Sequence, residues 1–212
     1  MPYLVPSMII GILALDTTVA FQVLLSQPIF ACPIIGWILG NPQAGFEVGV
    51  IMQLLWLNVL PVGSVIFPEG NVASMLICAI TVLFDDIPYP NIIFTFAVLI
   101  GIAVSYAGAW LTVLDRKING IFFSAATKSA GHINMWRMNF IEILSIFIYF
   151  VIMTLLAYIS LIISGTILHL IKDTFSLVVE EKLVMVKPVL FGVGLMLTFQ
   201  LIINRMKKKL SN

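Results

Sequence analysis

Four of the six amide side chains in the first sixty residues lie away from the turn at residues 40–43 and interrupt apolar segments. They are Gln22, Gln27, Gln53 and Asn58. An amide has both hydrogen-bond donors and acceptors, so a group of amides can replace the water that the hydroxyls of a neutral ligand lose on binding. Each amide alone could equally well join two helices, a common use of Asn and Gln within membranes. The four together favour a site for a neutral, polyhydroxylated molecule.

An aromatic ring lies close to one of these amides in the sequence. Gln53 and Trp56 are three residues apart, so a helix would place both side chains on the same face. An amide beside an indole suits a sugar, because the amide binds hydroxyls while the ring covers the C–H face. The pair therefore predicts a sugar-binding surface.

Two carboxylates in the same half of the chain are further candidates. Asp16 separates two apolar segments, and a carboxylate in a membrane is costly unless it is hydrated or paired. It is either a ligand-binding group or an N-cap for the helix that follows. Glu69 lies in a break between two short apolar segments, where open backbone and a carboxylate can bind a ligand hydroxyl together. Glu47 is interpreted instead as an interfacial or helix-start acid.

Six other residues have side chains that are used in metal sites or catalysis, but their contexts do not suit either role. They are Cys32, Cys78, Asp85, Asp86, His132 and His169. The cysteines lie within apolar runs, the histidines are isolated, and the acid pair has no third ligand nearby. The sequence also has no glycine-rich phosphate-binding loop ending in Lys. It therefore predicts no cofactor, no metal site and no enzyme activity of this chain on its own.

The composition places these polar residues in a membrane. Of the 212 residues, 61% are hydrophobic and 10% are charged, and the mean hydropathy is +1.12. Soluble domains have about 45–50% apolar and about 25% charged residues. All eleven basic residues lie between Arg116 and Lys209, which excludes nucleic-acid binding by the first half. The sequence thus predicts an integral membrane protein with an uneven charge distribution.

The second half contains segments that are long enough to cross a bilayer. A hydrocarbon core of about 30 Å requires roughly 20 apolar residues of helix. The candidates are residues 92–114, 140–171 and 189–204. The positive-inside rule predicts that residues 115–137 and the C-terminal tail 205–209 are cytoplasmic, since both are rich in Lys and Arg. The acidic pair Asp85–Asp86 and the mixed-charge loop 172–187 are then outside.

The first ninety residues contain shorter apolar segments that Pro and Gly interrupt. Such patterns are typical of discontinuous helices and re-entrant loops, which survive at membrane depth only when they are buried or line a polar cavity. The pairs Gly36/Gly40 and Gly45/Gly49 flank a turn, and we interpret them as packing positions of a hairpin. The predicted fold is an all-α polytopic membrane protein, with several transmembrane helices and broken or re-entrant segments in the first half.

Three regions follow from this pattern. Residues 1–114 form a substrate-path membrane region with discontinuous helices. Residues 115–139 form a cytoplasmic amphipathic linker, which is either a topogenic loop or a docking surface for a cytosolic partner. Residues 140–212 supply the C-terminal transmembrane helices and the basic cytoplasmic tail.

The order of the polar and Gly/Pro motifs resembles a known family. The chain is similar to the membrane subunit IIC of the mannose/fructose/sorbose family of bacterial sugar phosphotransferase systems. The resemblance is dense over residues 11–75 and looser to about residue 165. The motifs that carry it are LALD at 13–16, FQ at 21–22, SQP at 26–28, PIIG at 33–36, LGNPQAG at 39–45, QLLWLNVLPVG at 53–63, FPE at 67–69 and DR at 115–116.

The resemblance implies a multi-pass subunit of the bacterial inner (plasma) membrane. Such a subunit pairs with a IID membrane subunit, assembles as a homo-oligomer and moves a hexose-type sugar. Phosphate passes through the soluble IIA and IIB subunits, and IIB phosphorylates the sugar, so IIC itself is not phosphorylated. Two departures from the family pattern are a Gln at position 53, where other members can carry Glu, and a shorter C-terminal part. The motif matches place seven residues at or near the sugar path: Asp16, Gln22, Gln27, Gln53, Trp56, Asn58 and Glu69.

Two other classes of function are compatible with a small, fully embedded protein. One is the substrate-binding membrane subunit of an ATP-driven vitamin or metal uptake system, which also depends on a separate motor. The other is an intramembrane enzyme, which would need a Ser–His or paired-Asp arrangement on facing helices. No Ser–His arrangement is evident in the sequence, so the sugar-translocating subunit and the uptake subunit are the two main hypotheses.

Overall fold

The computed structural model describes residues 2–20, 22–57, 68–128 and 135–210. These residues form eight α-helices and one 3₁₀ turn, and no strand occurs among them. The helices are α1 (Leu4–Thr18), α2 (Pro28–Leu39), α3 (Pro42–Trp56), α4 (Gly70–Leu83), α5 (Pro90–Lys128), α6 (Met135–Ile171), α7 (Leu177–Leu183) and α8 (Val186–Leu210), with the 3₁₀ turn at Lys172–Thr174.

The helices fall into a short group and a long group. Helices α1 to α4 have 12 to 15 residues, which is about 18–23 Å of helix and too little to cross a bilayer. The long apolar helices include Pro90–Ser124, Asn139–Thr174 and Leu177–Lys207, each long and apolar enough to span a membrane. The predicted all-α membrane fold with broken helices in the first half is therefore confirmed.

Several helix ends meet at one end of the molecule, which we call the outer end because the charge pattern predicts it outside. The side-chain amide of Asn41, between α2 and α3, donates to Asp85 Oδ2 after α4 at 3.0 Å. Glu180 of α7 accepts from the backbone N–H of Asn91, at the start of α5, at 2.9 Å. These bonds tie the α2–α3 turn to the α4–α5 connection, and α7 to the start of α5.

The opposite ends of the short helices lie beside the middle of α5. The backbone N–H of Glu69, just before α4, donates to the carbonyl of Ser105 at 2.9 Å. Ser105 is about 22 Å along α5 from Pro90, at 1.5 Å per residue. A hydrocarbon core is about 30 Å thick, so an α5 that enters the membrane near Pro90 would hold the inner end of α4 at membrane depth.

The α2–α3 hairpin packs through glycines. A Cβ on Gly36 would lie 2.9 Å from the Cα of Gly45, and a Cβ on Gly45 would lie 2.5 Å from the carbonyl oxygen of Cys32. A Cβ on Gly49 would lie 2.6 Å from the carbonyl oxygen of Pro28. These contacts confirm the packing interpretation for three of the four glycines. Gly40 has another role, since it follows α2 with a φ of +97°, which favours glycine.

Helix α4 occupies the centre of the structure. All of its residues from Val72 to Val82 are buried, and it packs against α1, α2, α3, α5 and α6. Helix α1 packs against α6, where Gly11 faces Phe150 and Thr154. The apolar core therefore surrounds α4 and leaves much of α8 exposed.

Two boundaries differ from the ones that charge alone suggests. Helix α5 continues through residue 115 to Lys128, so the predicted division between residues 114 and 115 lies inside a helix. The segment 172–187, predicted as an outside loop, contains the 3₁₀ turn and α7. Charged residues mark a membrane boundary in sequence, and a helix can continue past that boundary into water.

Candidate functional site

Polar side chains converge where the inner ends of the short helices meet α5. We call this group the polar cluster. It consists of Asp16, Ser26, Gln27, Gln53, Trp56, Glu69, Asn71 and Thr112, supplied by α1, the turn before α2, α3, the start of α4 and α5.

Asp16 holds the turn that leads into α2. Its Oδ1 accepts from the backbone N–H of Val23 at 2.7 Å, and its Oδ2 accepts from the N–H of Ser26 at 2.9 Å. The residue is only 6% exposed. The turn includes left-handed backbone at Gln22 (φ 52°) and Leu24 (φ 70°), which is unfavourable for residues other than glycine. The carboxylate stabilises this conformation by binding N–H groups ahead of the helix.

Two glutamines connect the start of α2 to α3. Gln53 Nε2 donates to Gln27 Oε1 at 3.1 Å, and Gln53 Oε1 accepts from the backbone N–H of Ile29 at 3.3 Å. Both glutamines are half-buried. Among the described residues the Nε2 group of Gln27 donates to no partner, and Gln53 uses one of its two N–H donors. Amide donors therefore remain available to a ligand.

The start of α4 adds a second polar contact to the same turn. Asn71 Nδ2 donates to Ser26 Oγ at 3.3 Å. Ser26 is buried, and its backbone N–H donates to the carboxylate of Asp16. One turn thus links α1 to α4 through neighbouring side chains.

The indole of Trp56 lies directly against Gly70. A Cβ on Gly70 would be 2.5 Å from Cδ2 of the ring, so only glycine permits this approach. Gly70 follows Glu69 in the chain, and the contact brings the ring next to the first turn of α4. Trp56 is half-buried and leaves part of the indole for other contacts.

Glu69 faces α5. Its Oε1 accepts from the hydroxyl of Thr112 at 2.8 Å, and the residue is 9% exposed. Gly108 leaves room for it, since a Cβ there would be 3.0 Å from the Cβ of Glu69. In the part of the chain that the structure describes, Oε2 of Glu69 accepts from no group. One carboxylate oxygen thus remains able to accept from a ligand hydroxyl.

Five of the seven predicted site residues lie in the polar cluster. They are Asp16, Gln27, Gln53, Trp56 and Glu69. Gln22 lies at an exposed position of the turn, and Asn58 lies outside the described residues. The sequence reasoning did not include Ser26, Asn71 and Thr112. Asn71 had a usable signal, because it is an amide in the first turn of an otherwise apolar helix.

The acid of α3, Glu47, lies apart from the polar cluster. Glu47 Oε2 forms an ion pair with Lys187 Nζ at 2.9 Å. The pair borders an open cavity of about 480 Å³ between α3 and α8. An ion pair with this exposure contributes little stability, and its position agrees with the interfacial interpretation of Glu47.

The polar cluster suits binding rather than bond-breaking chemistry. It presents amide donors, one carboxylate oxygen and an aromatic ring, and the N-termini of α2 and α4 add positive partial charge. Within residues 2–20, 22–57, 68–128 and 135–210, no three His, Cys, Asp or Glu side chains converge as a metal site. The arrangement can hold a neutral molecule that has several hydroxyl groups.

Comparison with known proteins identifies the family. A sequence model described as "PTS system sorbose-specific iic component" matches residues 4–209. The sorbose-specific EIIC component of Klebsiella pneumoniae is 35% identical over 104 residues, which are 49% of this chain and 37% of that protein. The mannose-specific EIIC component of Escherichia coli K12 is 25% identical over 122 residues, which are 58% of this chain and 44% of that protein. The chain therefore matches less than half the length of these curated relatives.

Solved structures share the fold. A chain titled "Structure of membrane protein" has a TM-score of 0.72 at 21% identity, with 95% of this chain and 80% of that chain covered. A chain of the mannose transporter ManYZ in complex with microcin E492 has a TM-score of 0.64 at 22% identity, with 97% and 79% covered.

These matches confirm the predicted resemblance and a membrane location, and they do not favour the ATP-driven uptake alternative. A further relative, 26% identical over 104 residues, is named the fructose permease IIC component of Bacillus subtilis, and a permease agrees with the prediction that the chain is a transport component. Since the family model matches nearly the whole chain, the chain belongs to the family of PTS sorbose-specific IIC components.

Proposed function

We propose that this chain is the sugar-translocating IIC subunit of a phosphoenolpyruvate-dependent phosphotransferase system. It moves a hexose-type sugar across the membrane for phosphorylation by a partner IIB subunit. The observation that carries this proposal is the polar cluster at membrane depth, where the inner ends of the broken helices meet α5. Two carboxylates and two glutamines are costly at this depth unless they are paired or hydrated, and polar groups at such positions commonly mark a substrate pathway.

The available hydrogen-bonding groups are complementary to a sugar. Each sugar hydroxyl both donates and accepts. The amide of Gln27 and the second N–H of Gln53 can donate to hydroxyl oxygens, and Oε2 of Glu69 can accept from a hydroxyl. The indole of Trp56 offers an apolar surface to the C–H face. The site thus replaces the water of a neutral substrate with polar groups of both kinds.

The proposed partners follow from the family. They are a IID membrane subunit, the IIA and IIB phosphocarriers and further copies of this chain in a homo-oligomer. Mannose and sorbose appear in the names of the relatives, so both are candidates for the substrate. In this proposal IIC binds and moves the sugar, and the phosphate never passes through it.

The proposed orientation directs substrate from the outer end to the cytoplasm of a bacterial inner (plasma) membrane. Residues 115–137 and the tail 205–209 are cytoplasmic, because they hold most of the basic residues. The outer end has Asp85, Asp173 and Glu180, together with fewer basic groups. A sugar that enters from the outer end reaches the polar cluster first and IIB last.

Sugar uptake by site variants tests the proposal. Membranes that contain the full chain and its partner subunits are assayed with radiolabelled mannose, fructose and sorbose. Gln53→Ala and Glu69→Ala should each lower uptake by about tenfold or more, because each removes a hydrogen bond worth about 1–3 kcal/mol. Matched controls are Gln43→Ala, on the same helix near the outer end, and Glu181→Ala, an exposed acid. Both controls should retain wild-type uptake.

Unchanged uptake in Gln53→Ala and Glu69→Ala would contradict the site assignment. Failure of the wild type to take up any of the three sugars, with partner subunits present, would contradict the proposed function itself.

A further inference from the structure

The polar surface of α5 continues beyond the polar cluster. Thr112, Asp115 and Asn119 are spaced by three and four residues, so they lie on one face of the helix. Thr112 is already bonded to Glu69. Asp115 and Asn119 lie about 5 Å and about 10 Å farther along α5, at 1.5 Å per residue. The direction is toward the end that is predicted to be cytoplasmic.

Among the residues that the structure describes, none donates a hydrogen bond to two of the oxygens on this face. Asn119 Nδ2 donates to Asp115 Oδ2 at 2.9 Å. The other carboxylate oxygen, Asp115 Oδ1, and the amide oxygen, Asn119 Oδ1, are both buried and have no partner within the described part of the chain. Asp115 is only 3% exposed. These atoms are one helical turn apart and are both acceptors.

Unpaired buried acceptors are unfavourable, at about 1–3 kcal/mol for each group and more for a charged one. Two of them on the same face therefore indicate a ligand that donates hydrogen bonds. A sugar has adjacent hydroxyls that can donate to both oxygens. A hard divalent cation would need about six oxygen ligands, and this face offers two unpaired ones.

We propose that Asp115 and Asn119 form a second sugar site, inward of the polar cluster, that the substrate occupies on its way to the cytoplasm. The sugar leaves Glu69 and donates its hydroxyl hydrogens to Asp115 Oδ1 and Asn119 Oδ1. Thr112 lies between the two sites and contacts the first one. This inference rests on the proposed sugar transport.

Protection of an introduced thiol by sugar tests occupancy of this site directly. Phe122→Cys, one turn beyond Asn119 on the same face of α5, is made in the full chain, whose own Cys32 and Cys78 are both buried. The full chain is assayed in membranes with its partner subunits. The thiol is modified with a maleimide while mannose, fructose or sorbose is titrated. When the sugar that the wild type transports is present at about ten times its dissociation constant, the site is about nine-tenths occupied and modification should slow by about tenfold. Ser124→Cys, at an exposed position on the same helix, should react at an unchanged rate.

Transport variants provide the second measurement. Asp115→Asn and Asn119→Ala should each slow sugar counterflow by about tenfold, while equilibrium binding at the polar cluster stays within about twofold of wild type. Glu142→Gln, an exposed carboxylate-to-amide change on α6, should leave both unchanged. If either variant lost equilibrium binding to the same extent as counterflow, the second site would be overturned. A structural defect, or a single site shared by both steps, would produce that parallel loss.

The outcomes separate this inference from the function on which it rests. If the wild type shows counterflow, absence of sugar protection in Phe122→Cys overturns only the second site. Unchanged counterflow in both Asp115→Asn and Asn119→Ala does the same. Protection by a monovalent or divalent cation, but not by any of the sugars, overturns the sugar assignment in favour of an ion. Absence of binding and counterflow in the wild type overturns the proposed function.

Discussion

The two oxygens of Asp16 are both engaged by backbone N–H groups of a single turn. The sequence left open whether this acid binds a ligand or caps the following helix. In the structure, Asp16 binds the turn ahead of α2. This turn positions Ser26 and Gln27 in the polar cluster. Its contribution to the site is therefore through the backbone that it stabilises.

Replacing Asp16 by Asn should destabilise the folded protein by about 1.5–3 kcal/mol. The amide keeps one acceptor oxygen and loses the other, so either Val23 or Ser26 loses its partner for a charge-assisted hydrogen bond. The free energy of unfolding of the purified protein in detergent, measured by denaturant titration, checks this expectation. Asp173→Asn, an exposed acid in the 3₁₀ turn, is the control and should have no effect. Equal stability of Asp16→Asn and wild type would show that the turn does not depend on the second oxygen.

Carboxylates and amides were predictable as site residues, whereas hydroxyls were not. A charged group or an amide in an apolar segment is expensive, so Gln53 and Glu69 attract attention in a single sequence. A hydroxyl in an apolar helix usually bonds the carbonyl four residues earlier, as Ser160 and Thr166 do. In the sequence Thr112 is indistinguishable from these hydroxyl residues. Its hydroxyl nevertheless donates from α5 to Glu69, which directly precedes α4.

The α2–α3 hairpin is the element whose geometry depends most on small residues. Gly36, Gly45 and Gly49 allow the two backbones to approach so closely that a methyl group would meet backbone atoms. Backbone atoms cannot move aside as a flexible side chain can. Gln27 and Gln53 lie at the same end of this hairpin, so their mutual distance depends on the close packing of the two helices.

Gly45→Ala should destabilise the protein by at least about 1–3 kcal/mol, the usual cost of overpacking. The new Cβ would lie 2.5 Å from the carbonyl oxygen of Cys32. Gly192→Ala in α8 is the matched control, since nothing lies within 4 Å of its added Cβ. There the higher helix propensity of Ala should leave stability unchanged or raise it by up to about 1 kcal/mol. Comparison of their thermal unfolding midpoints checks both expectations, and equal midpoints would contradict the close packing.

Helix starts have a clearer signal in this sequence than helix continuation. Pro28 and Pro42 begin α2 and α3, and Pro at the first helical position is a common start signal. The end of α5 gave no such signal. Its residues beyond 114 are charged enough to leave the membrane yet remain compatible with helix, so the helix continues to Lys128.

At the scale of the whole molecule, the site depends on contacts that no local pattern specifies. Glu69 and Thr112 are 43 residues apart, and Ser26 and Asn71 are 45 residues apart. Composition and Pro/Gly spacing predict that broken helices exist in the first half. They do not determine which inner ends meet or that α5 closes the group. That arrangement follows from packing around α4, the most buried helix.

The central claim is that a sugar binds at membrane depth beside Trp56. Intrinsic tryptophan emission tests it most directly, because the chain has four tryptophans and three of them are at exposed positions outside the polar cluster, namely Trp37, Trp110 and Trp136. The purified full chain in detergent is titrated with mannose, fructose and sorbose in turn. Single substitutions to Phe at each tryptophan assign any saturable change in emission to one ring.

We predict a saturable change in emission with at least one of these sugars. The change should persist in Trp37→Phe, Trp110→Phe and Trp136→Phe and should disappear in Trp56→Phe. An undiminished sugar-dependent change in Trp56→Phe would contradict the account, because the sugar would then bind away from the inner ends of the broken helices.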